Sequence, residues 1–91
     1  MSCANVIVLT GNIPILVDIN ADTLNMDSTD LLNKLEGASA ILWVHMGGLI
    51  SPDFLIIRKL CKQKGILIIE DCAHTHGATI KGESAGNLGD V

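Results

Sequence analysis

One short stretch of the sequence holds most of the residues that could do chemistry. Glu70, Asp71, Cys72, His74 and His76 follow directly after the apolar run at residues 66–69. Carboxylates, a thiol and imidazoles can bind a metal ion, supply a nucleophile with its base, or place a negative charge against a cationic cofactor. The residue types alone leave these three alternatives open.

A metal site here would take Asp71, Cys72, His74 and His76 as ligands. On an extended backbone alternate side chains point to opposite faces, so Asp71 lies away from the other three. Structural zinc sites draw their ligands from two separate knuckles, and the sequence offers no second one. We therefore predict no metal site.

Nucleophilic catalysis would depend on Cys72. A cysteine beside an apolar strand is usually an inert small side chain, and nothing in the sequence indicates that Cys72 is activated. The third alternative needs only an acid held rigidly at the end of a strand, where it keeps a cationic ring nitrogen protonated.

Composition excludes several classes of partner. The 91 residues carry a net charge of −4 with a pI near 5.0, and their six Lys and Arg form no basic stripe, which argues against nucleic acid. No apolar run approaches the roughly 20 residues that cross a bilayer, so we expect no membrane span. Cys3, Cys61 and Cys72 share no close spacing, which favours free thiols and a cytoplasmic location.

The elements that position the acidic pair follow from the apolar runs. Runs at residues 13–19, 40–45 and 66–69 are predicted to be buried strands. Between them, one helix starts at Asp27 or Ser28 and ends at Gly37, and another runs from Ser51-Pro52-Asp53 to Gly65. This alternation is typical of a three-layer α/β fold, a mostly parallel sheet with helices on both faces. The carboxyl ends of its strands carry Asp18, His45 and Glu70-Asp71 along one rim, where such sheets bind ligands.

Three further segments are less decisive. Residues 2–9 have strand propensity, yet Ser2 could also cap a short helix that Gly11 ends. Residues 78–85, around Lys81-Gly82, are predicted to form a hairpin or extended arm. The glycine-rich residues 82–89 fit neither a phosphate loop nor a dinucleotide fingerprint, because no strand runs directly into them and no helix follows.

The chemical stretch and its surroundings resemble the motif string of the DegT/DnrJ/StrS sugar aminotransferases. The resemblance covers nearly all 91 residues in order, and it rests on Pro14 through Asp18, Thr23-Leu24-Asn25, Val44-His45-Met46-Gly47-Gly48, Ile69-Glu70-Asp71-Cys72-Ala73-His74, Gly77-Ala78, Lys81-Gly82, Gly86 and Gly89-Asp90. It implies that residues 1–91 are a single partial domain, the central segment of the large domain of an aspartate-aminotransferase-type fold. It also implies that residues 2–9 are the end of a helix.

The resemblance further implies a cofactor, pyridoxal 5′-phosphate, and two residues that bind it. Asp71 matches the carboxylate that pairs with the pyridinium nitrogen, and His74 stands where the family has Gln or His beside the ring. A capping role for Asp71 and a mere wall position for His74 remain the alternatives. His45 is expected to pack near the site, His76 to lie in a surface loop, and Glu70 to bond backbone or face solvent.

No catalytic residue is expected within the chain. The family's Schiff-base lysine lies beyond Val91 and its phosphate-binding loop lies before Met1, while Lys81 does not match that lysine. The chain is thus expected to be a fragment that is inactive alone.

The parent protein is expected to bind a nucleotide-linked keto sugar and an amino-acid amino donor, to form a homodimer, and to serve polysaccharide or antibiotic sugar biosynthesis. Two alternatives remain open: a small α/β binding or regulatory module without catalysis, and a fragment of a pyridoxal phosphate-dependent sugar dehydratase.

Overall fold

A parallel pair of strands, joined by a helix, forms the centre of the molecule. The computed structural model describes residues 2–91. Strand β1 (Ala40–Val44) pairs with strand β2 (Leu67–Asp71) in a register that runs from Ala40 opposite Leu67 to Val44 opposite Asp71. The connecting helix spans Asp53–Lys64 and ends at Gly65, whose φ of 69° is the left-handed conformation that glycine adopts readily. Both strands and this helix confirm the sequence prediction.

The core lies between one face of this sheet and the connecting helix. Ile41, Trp43 and Ile68 face the helix, and the rings of Trp43 and Phe54 meet edge to face with centroids 5.1 Å apart. Each fully buried apolar side chain contributes roughly 1.5–3 kcal/mol. The buried apolar residues are Leu31, Leu35, Ile41, Trp43, Ile50, Phe54, Ile57, Cys61, Ile66, Ile68 and Leu88.

A second helix lies over the other face of the sheet. Helix α1 (Ser2–Leu9) places the thiol of Cys3 3.4 Å from the Asp71 carboxylate, and Asp71 points away from the core face. The helical conformation implied by the family resemblance is confirmed, and the strand alternative for residues 2–9 is wrong. Helices on both faces make this a three-layer α/β fold. The cover is partial, because Leu67 and Ile69 of this face remain exposed.

The predicted strand at residues 13–19 is wrong. These residues form no strand, and their one ladder contact is an isolated antiparallel bridge between Ile19 and Met26. Side chains of the next helix, α2 (Ser28–Lys34), form hydrogen bonds with the backbone of this segment. Lys34 Nζ donates to the Leu16 carbonyl at 2.9 Å, and Asp30 accepts from the Asp18 N–H at 2.7 Å. Asp18 therefore ends no strand and is not part of the predicted rim.

The remaining elements are short. Asp27 caps α2 by accepting from the Asp30 N–H at 2.8 Å, but the helix ends at Lys34 rather than continuing to Gly37. We label the connecting helix Asp53–Lys64 α3. The hairpin is confirmed as β3 (Thr79–Ile80) and β4 (Glu83–Ser84), with positive φ at both Lys81 and Gly82 as a two-residue turn requires. Within residues 2–91, the helices are all too short or too polar to cross a bilayer.

Candidate functional site

The acidic pair at the end of β2 is divided between the two faces of the sheet. Side chains alternate along a strand, so Glu70 shares the core face with Ile68 while Asp71 points to the face covered by α1. The two carboxylates consequently have different surroundings and different partners. The sequence predicted that Asp71 lies at the carboxyl end of a central parallel strand at residues 66–69. The position at the carboxyl end of a parallel strand is confirmed, but within residues 2–91 the sheet has two strands, so β2 is not central.

Asp71 borders an open cavity of about 370 Å³ between α1 and the end of the sheet. Its Oδ1 accepts the Ala73 N–H at 3.1 Å, and its carbonyl accepts the His45 N–H at 3.2 Å. The partner of Oδ2 is the Cys3 thiol at 3.4 Å, which is a weak donor. One carboxylate oxygen is thus anchored by backbone, and the other retains capacity to accept a stronger bond from the cavity. The residues that line the cavity are Ser2, Cys3, Val6, Leu42, Glu70, Asp71 and Cys72.

Glu70 is buried on the core face and bound on both carboxylate oxygens. Its side chain is 1% exposed and His45 is fully buried; Oε2 lies 2.8 Å from His45 Nε2 and accepts the Gly86 N–H at 3.1 Å. Oε1 accepts the N–H groups of Leu88, at 2.7 Å, and of Gly89. Glu70 therefore bonds backbone as expected, and the alternative that it faces solvent is wrong.

The net charge state of Glu70 follows from two opposing effects. Burial removes water from the carboxylate and raises its pKa, but the hydrogen bonds from His45 and from the Gly89, Gly86 and Leu88 amides outweigh it and leave the pKa below its ordinary value. His45 Nδ1 has no hydrogen-bond partner among residues 2–91. A neutral ring therefore carries its proton on Nε2, where Glu70 accepts it.

The glycine-rich loop after the hairpin binds an anionic group of the same chain, the Glu70 carboxylate. Backbone N–H groups that converge in a turn bind anions, and here those of Gly86, Leu88 and Gly89 converge on Glu70. A Cβ on Gly89 would lie 2.8 Å from the Ile68 carbonyl oxygen and 3.0 Å from Glu70 Cγ. Glycine is thus needed where the loop passes close to β2. This explains a motif that matched no phosphate-binding pattern.

The metal ligands considered from sequence do not come together. Among the described residues, the group close enough to share an ion is His45, Glu70 and Cys72, whose ligand atoms lie within 4.8 Å of one another. Both oxygens of Glu70 already accept hydrogen bonds, so an ion would have to displace His45 or the loop amides. We interpret this group as a hydrogen-bonded structural cluster.

The two histidines of the loop after β2 are both exposed in turns. For His76 this confirms the predicted surface position. His74 does not line the cavity beside Asp71, although its backbone packs tightly: a Cβ on Gly48 would lie 2.8 Å from the His74 carbonyl oxygen. Its predicted contact with a cofactor remains a prediction.

Comparison with known proteins decides the family. The sequence matches the profile of the DegT/DnrJ/EryC1/StrS aminotransferase family over residues 1–91. The chain belongs to this family. It is 32% identical over 92 residues to the GDP-perosamine synthase of Vibrio cholerae, a match that covers 100% of the chain and 25% of that protein. It is 42% identical over 84 residues to Protein MosB of Rhizobium meliloti, covering 91% of the chain and 16% of that protein.

Solved structures have the same fold in this region. The aminotransferase TlmJ from Streptoalloteichus hindustanus superposes with a TM-score of 0.89 at 31% identity, over 99% of the chain and 25% of that structure. DesI, solved in the presence of its TDP-sugar product, superposes with a TM-score of 0.86 at 29% identity, over 98% of the chain and 23% of that structure. The chain therefore spans about a quarter or less of the relatives that it matches.

Sequence reasoning missed the link between His45 and Glu70. Alternation in the sequence puts His45 on the same face of its strand as Trp43, and Glu70 on the same face as Ile68. The register of the structure, with Trp43 opposite Glu70, then brings both groups to one face.

Proposed function

We propose that residues 1–91 form the central part of the large domain of a pyridoxal phosphate-dependent aminotransferase that acts on keto-sugar nucleotides. Family membership supports the reaction class, and relatives such as the dTDP-3-amino-3,6-dideoxy-alpha-D-galactopyranose transaminase of Aneurinibacillus thermoaerophilus support the substrate class. The observation that carries the proposal is the Asp71 carboxylate, which ends β2 and borders the cavity under α1.

The surroundings of Asp71 fit a cationic ring nitrogen. Oδ1 is held by the Ala73 N–H, and Oδ2 meets only the weak Cys3 donor among its hydrogen-bond partners in residues 2–91. A ring N–H⁺ that bonds Oδ2 would gain a charge-assisted hydrogen bond. Opposite charges about 4 Å apart attract by about 4 kcal/mol at an effective dielectric near 20.

The cofactor, Asp71 and His74 then have separate roles. The cofactor, when bound, supplies an electron sink for the amino group transfer. Asp71 holds the proton on the ring nitrogen, and the fixed end of β2 sets the orientation of that contact. We assign His74 to the wall beside the ring on the family resemblance, since among residues 2–91 it does not line the cavity that Asp71 borders.

We assign no catalytic role to residues 1–91 themselves. Lys81 lies in the turn between β3 and β4 and is absent from the cavity wall. The reactive lysine, the phosphate contacts and the sites for nucleotide sugar and amino donor are assigned to other parts of the parent protein. Free thiols at Cys3, Cys61 and Cys72 support a cytoplasmic location for the reaction.

The proposal is tested by Asp71→Asn in the full-length protein. The substitution keeps size and removes the charge, so losing about 4 kcal/mol of attraction would lower kcat/KM by up to about a thousandfold. Asp22→Asn makes the same chemical change at an exposed turn residue, and His76→Ala removes an exposed imidazole of the same loop. Equal and mild losses in all three variants would disprove the role of Asp71.

A further inference from the structure

The end of β2 is held from the face opposite the cavity. Glu70 projects into the core while Asp71 projects toward α1, and the side chain of Glu70 is 1% exposed. Its oxygens bind His45 Nε2 on one side and the amides of Gly86, Leu88 and Gly89 on the other. The side chain of Glu70, the residue before Asp71, thus joins the end of β1 to the glycine-rich loop.

The loop is also paired with the free edge of β2. Ile68 N–H donates to Asp90 Oδ2 at 2.9 Å, Asp90 N–H donates to the Ile68 carbonyl at 2.8 Å, and Glu70 N–H donates to the Val91 carbonyl at 2.9 Å. On the opposite edge, the His45 N–H donates to the Asp71 carbonyl at 3.2 Å. The backbone around Asp71 is therefore fixed at both edges, and Glu70 joins the two sets of contacts beneath it.

The direct restraints on the Asp71 side chain are weak by comparison. They are a thiol at 3.4 Å and one backbone N–H at 3.1 Å, both beside an open cavity. The last residue of a strand frays readily when its neighbours are released, because few contacts hold it. The direction of the Asp71 carboxylate depends on what holds the strand end.

We infer that Glu70, through its bonds to His45 and to the Gly86–Gly89 loop, is the positioning residue that aims the Asp71 carboxylate into the cavity. Glu70 borders the cavity, but both of its side-chain oxygens are bonded on the core face, so its side chain acts through Asp71. The inference rests on the proposed function for its meaning in catalysis, but the restraint on Asp71 can be measured without any cofactor.

The experiment compares Glu70→Gln with Glu83→Gln in the full-length protein. Glu83 undergoes the same chemical change at an exposed ion pair with Arg58. Hydrogen–deuterium exchange is followed by mass spectrometry in the cofactor-free protein, for peptides that cover residues 71–76 and 86–91. The dissociation constant of pyridoxal phosphate and the pH at which the absorbance of the bound cofactor changes are measured separately.

We expect Glu70→Gln to speed exchange in both peptides and to raise the cofactor dissociation constant by about tenfold, as the loss of a residue that orients a metal ligand does for metal affinity. The pH of the absorbance change should differ from that of wild type, because a misplaced Asp71 protects the ring proton less and the charge of the ring influences the titration of the bound cofactor. Glu83→Gln should leave all of these unchanged. Faster exchange confined to residues 86–91, with wild-type cofactor affinity and pH, would overturn the inference and leave Glu70 as a loop anchor only.

His45 provides a second test that keeps Glu70 in place. His45→Leu removes the donor to Glu70, and His45→Gln replaces it with an amide of similar reach. We expect exchange at residues 71–76 and cofactor affinity to be impaired in the first variant and largely restored in the second. Equal behaviour of the two would overturn the inference. If Asp71→Asn leaves cofactor binding and turnover unaltered while exchange responds as stated, the proposed function fails and the positioning of Asp71 stands.

Discussion

Glu70→Gln should destabilise the fold far more than the same change at Glu83. The Glu70 side chain is 1% exposed, whereas the Glu83 side chain is 50% exposed in its ion pair with Arg58. Exposed ion pairs contribute about 0–1 kcal/mol. The buried carboxylate instead accepts hydrogen bonds on both oxygens, so its replacement by an amide changes every one of them.

The size of the effect follows from those bonds. In the Glu70→Gln variant the new amide oxygen can keep the Leu88 and Gly89 donors, but each bond changes from charge-assisted to neutral, a loss of about 1 kcal/mol apiece. The new amide nitrogen faces both the Gly86 N–H and His45 Nε2. The Gly86 bond is lost at a cost of about 1 kcal/mol, while the imidazole keeps a neutral bond if its proton moves to Nδ1 and Nε2 accepts from the amide. Relief from burying a charge offsets part of this total. We expect a net loss of about 2 kcal/mol for Glu70→Gln and less than about 0.5 kcal/mol for Glu83→Gln.

Urea unfolding followed by circular dichroism measures both values, and its pH dependence adds a second check. The pKa of Glu70 is lowered from its ordinary value of 4.5, so its stabilising contribution is complete above that value and is lost as the pH falls through the lower pKa of the folded state. The difference between wild type and Glu70→Gln should therefore be constant near neutrality and narrow in acid. Equal free energies for the two variants at pH 7, or a difference that widens in acid, would refute the reasoning.

Three other outcomes are expected. Phe54→Ala should lower the free energy of unfolding by about 3–5 kcal/mol, because Phe54 is fully buried against Trp43 and His45. Urea unfolding measures this free energy, and a loss under about 1 kcal/mol would contradict the packing of Phe54 in the core. Elemental analysis of protein purified without added metal should show less than stoichiometric zinc, because the Glu70 oxygens are already bonded; one zinc per chain, lost in Cys72→Ala, would prove the metal interpretation. Lys81→Ala in the full-length protein should leave turnover within about twofold, as for most exposed substitutions; loss of turnover would make Lys81 catalytic.

Local signals in the sequence were sufficient for the elements that hold the site. Gly65, Asp27 and Lys81-Gly82 predicted a helix end, a helix start and a turn, and each does what its residue type favours. The position of Asp71 followed from the apolar run before it, because a continuous apolar run marks a buried parallel strand and the acidic pair comes at its carboxyl end. These predictions needed no knowledge of distant contacts.

The predictions that failed depended on partners distant in sequence. Residues 13–19 have the composition of a strand, but among residues 2–91 no strand edge pairs with them beyond the bridge at Ile19. Their backbone instead forms hydrogen bonds with side chains of α2. From the sequence, Glu70 could face water or bond backbone. What decides between the two is the return of the glycine-rich loop along β2, a contact between residues distant in sequence. Residues 2–9 have strand propensity and form a helix; Ser2 and Gly11 left both conformations open, and the family resemblance indicated the helix.

The protonation of the ring nitrogen tests the proposed role of Asp71 most directly. The full-length protein is loaded with pyridoxal phosphate labelled with ¹⁵N in the ring, and the nitrogen chemical shift is recorded near pH 7.5 for wild type and Asp71→Asn. We expect a shift typical of a protonated ring in wild type and of a neutral ring in the variant, since only the variant lacks the charge that stabilises the proton. A neutral ring in wild type, or the same protonated shift in both proteins, would contradict the assignment of Asp71 to the cofactor.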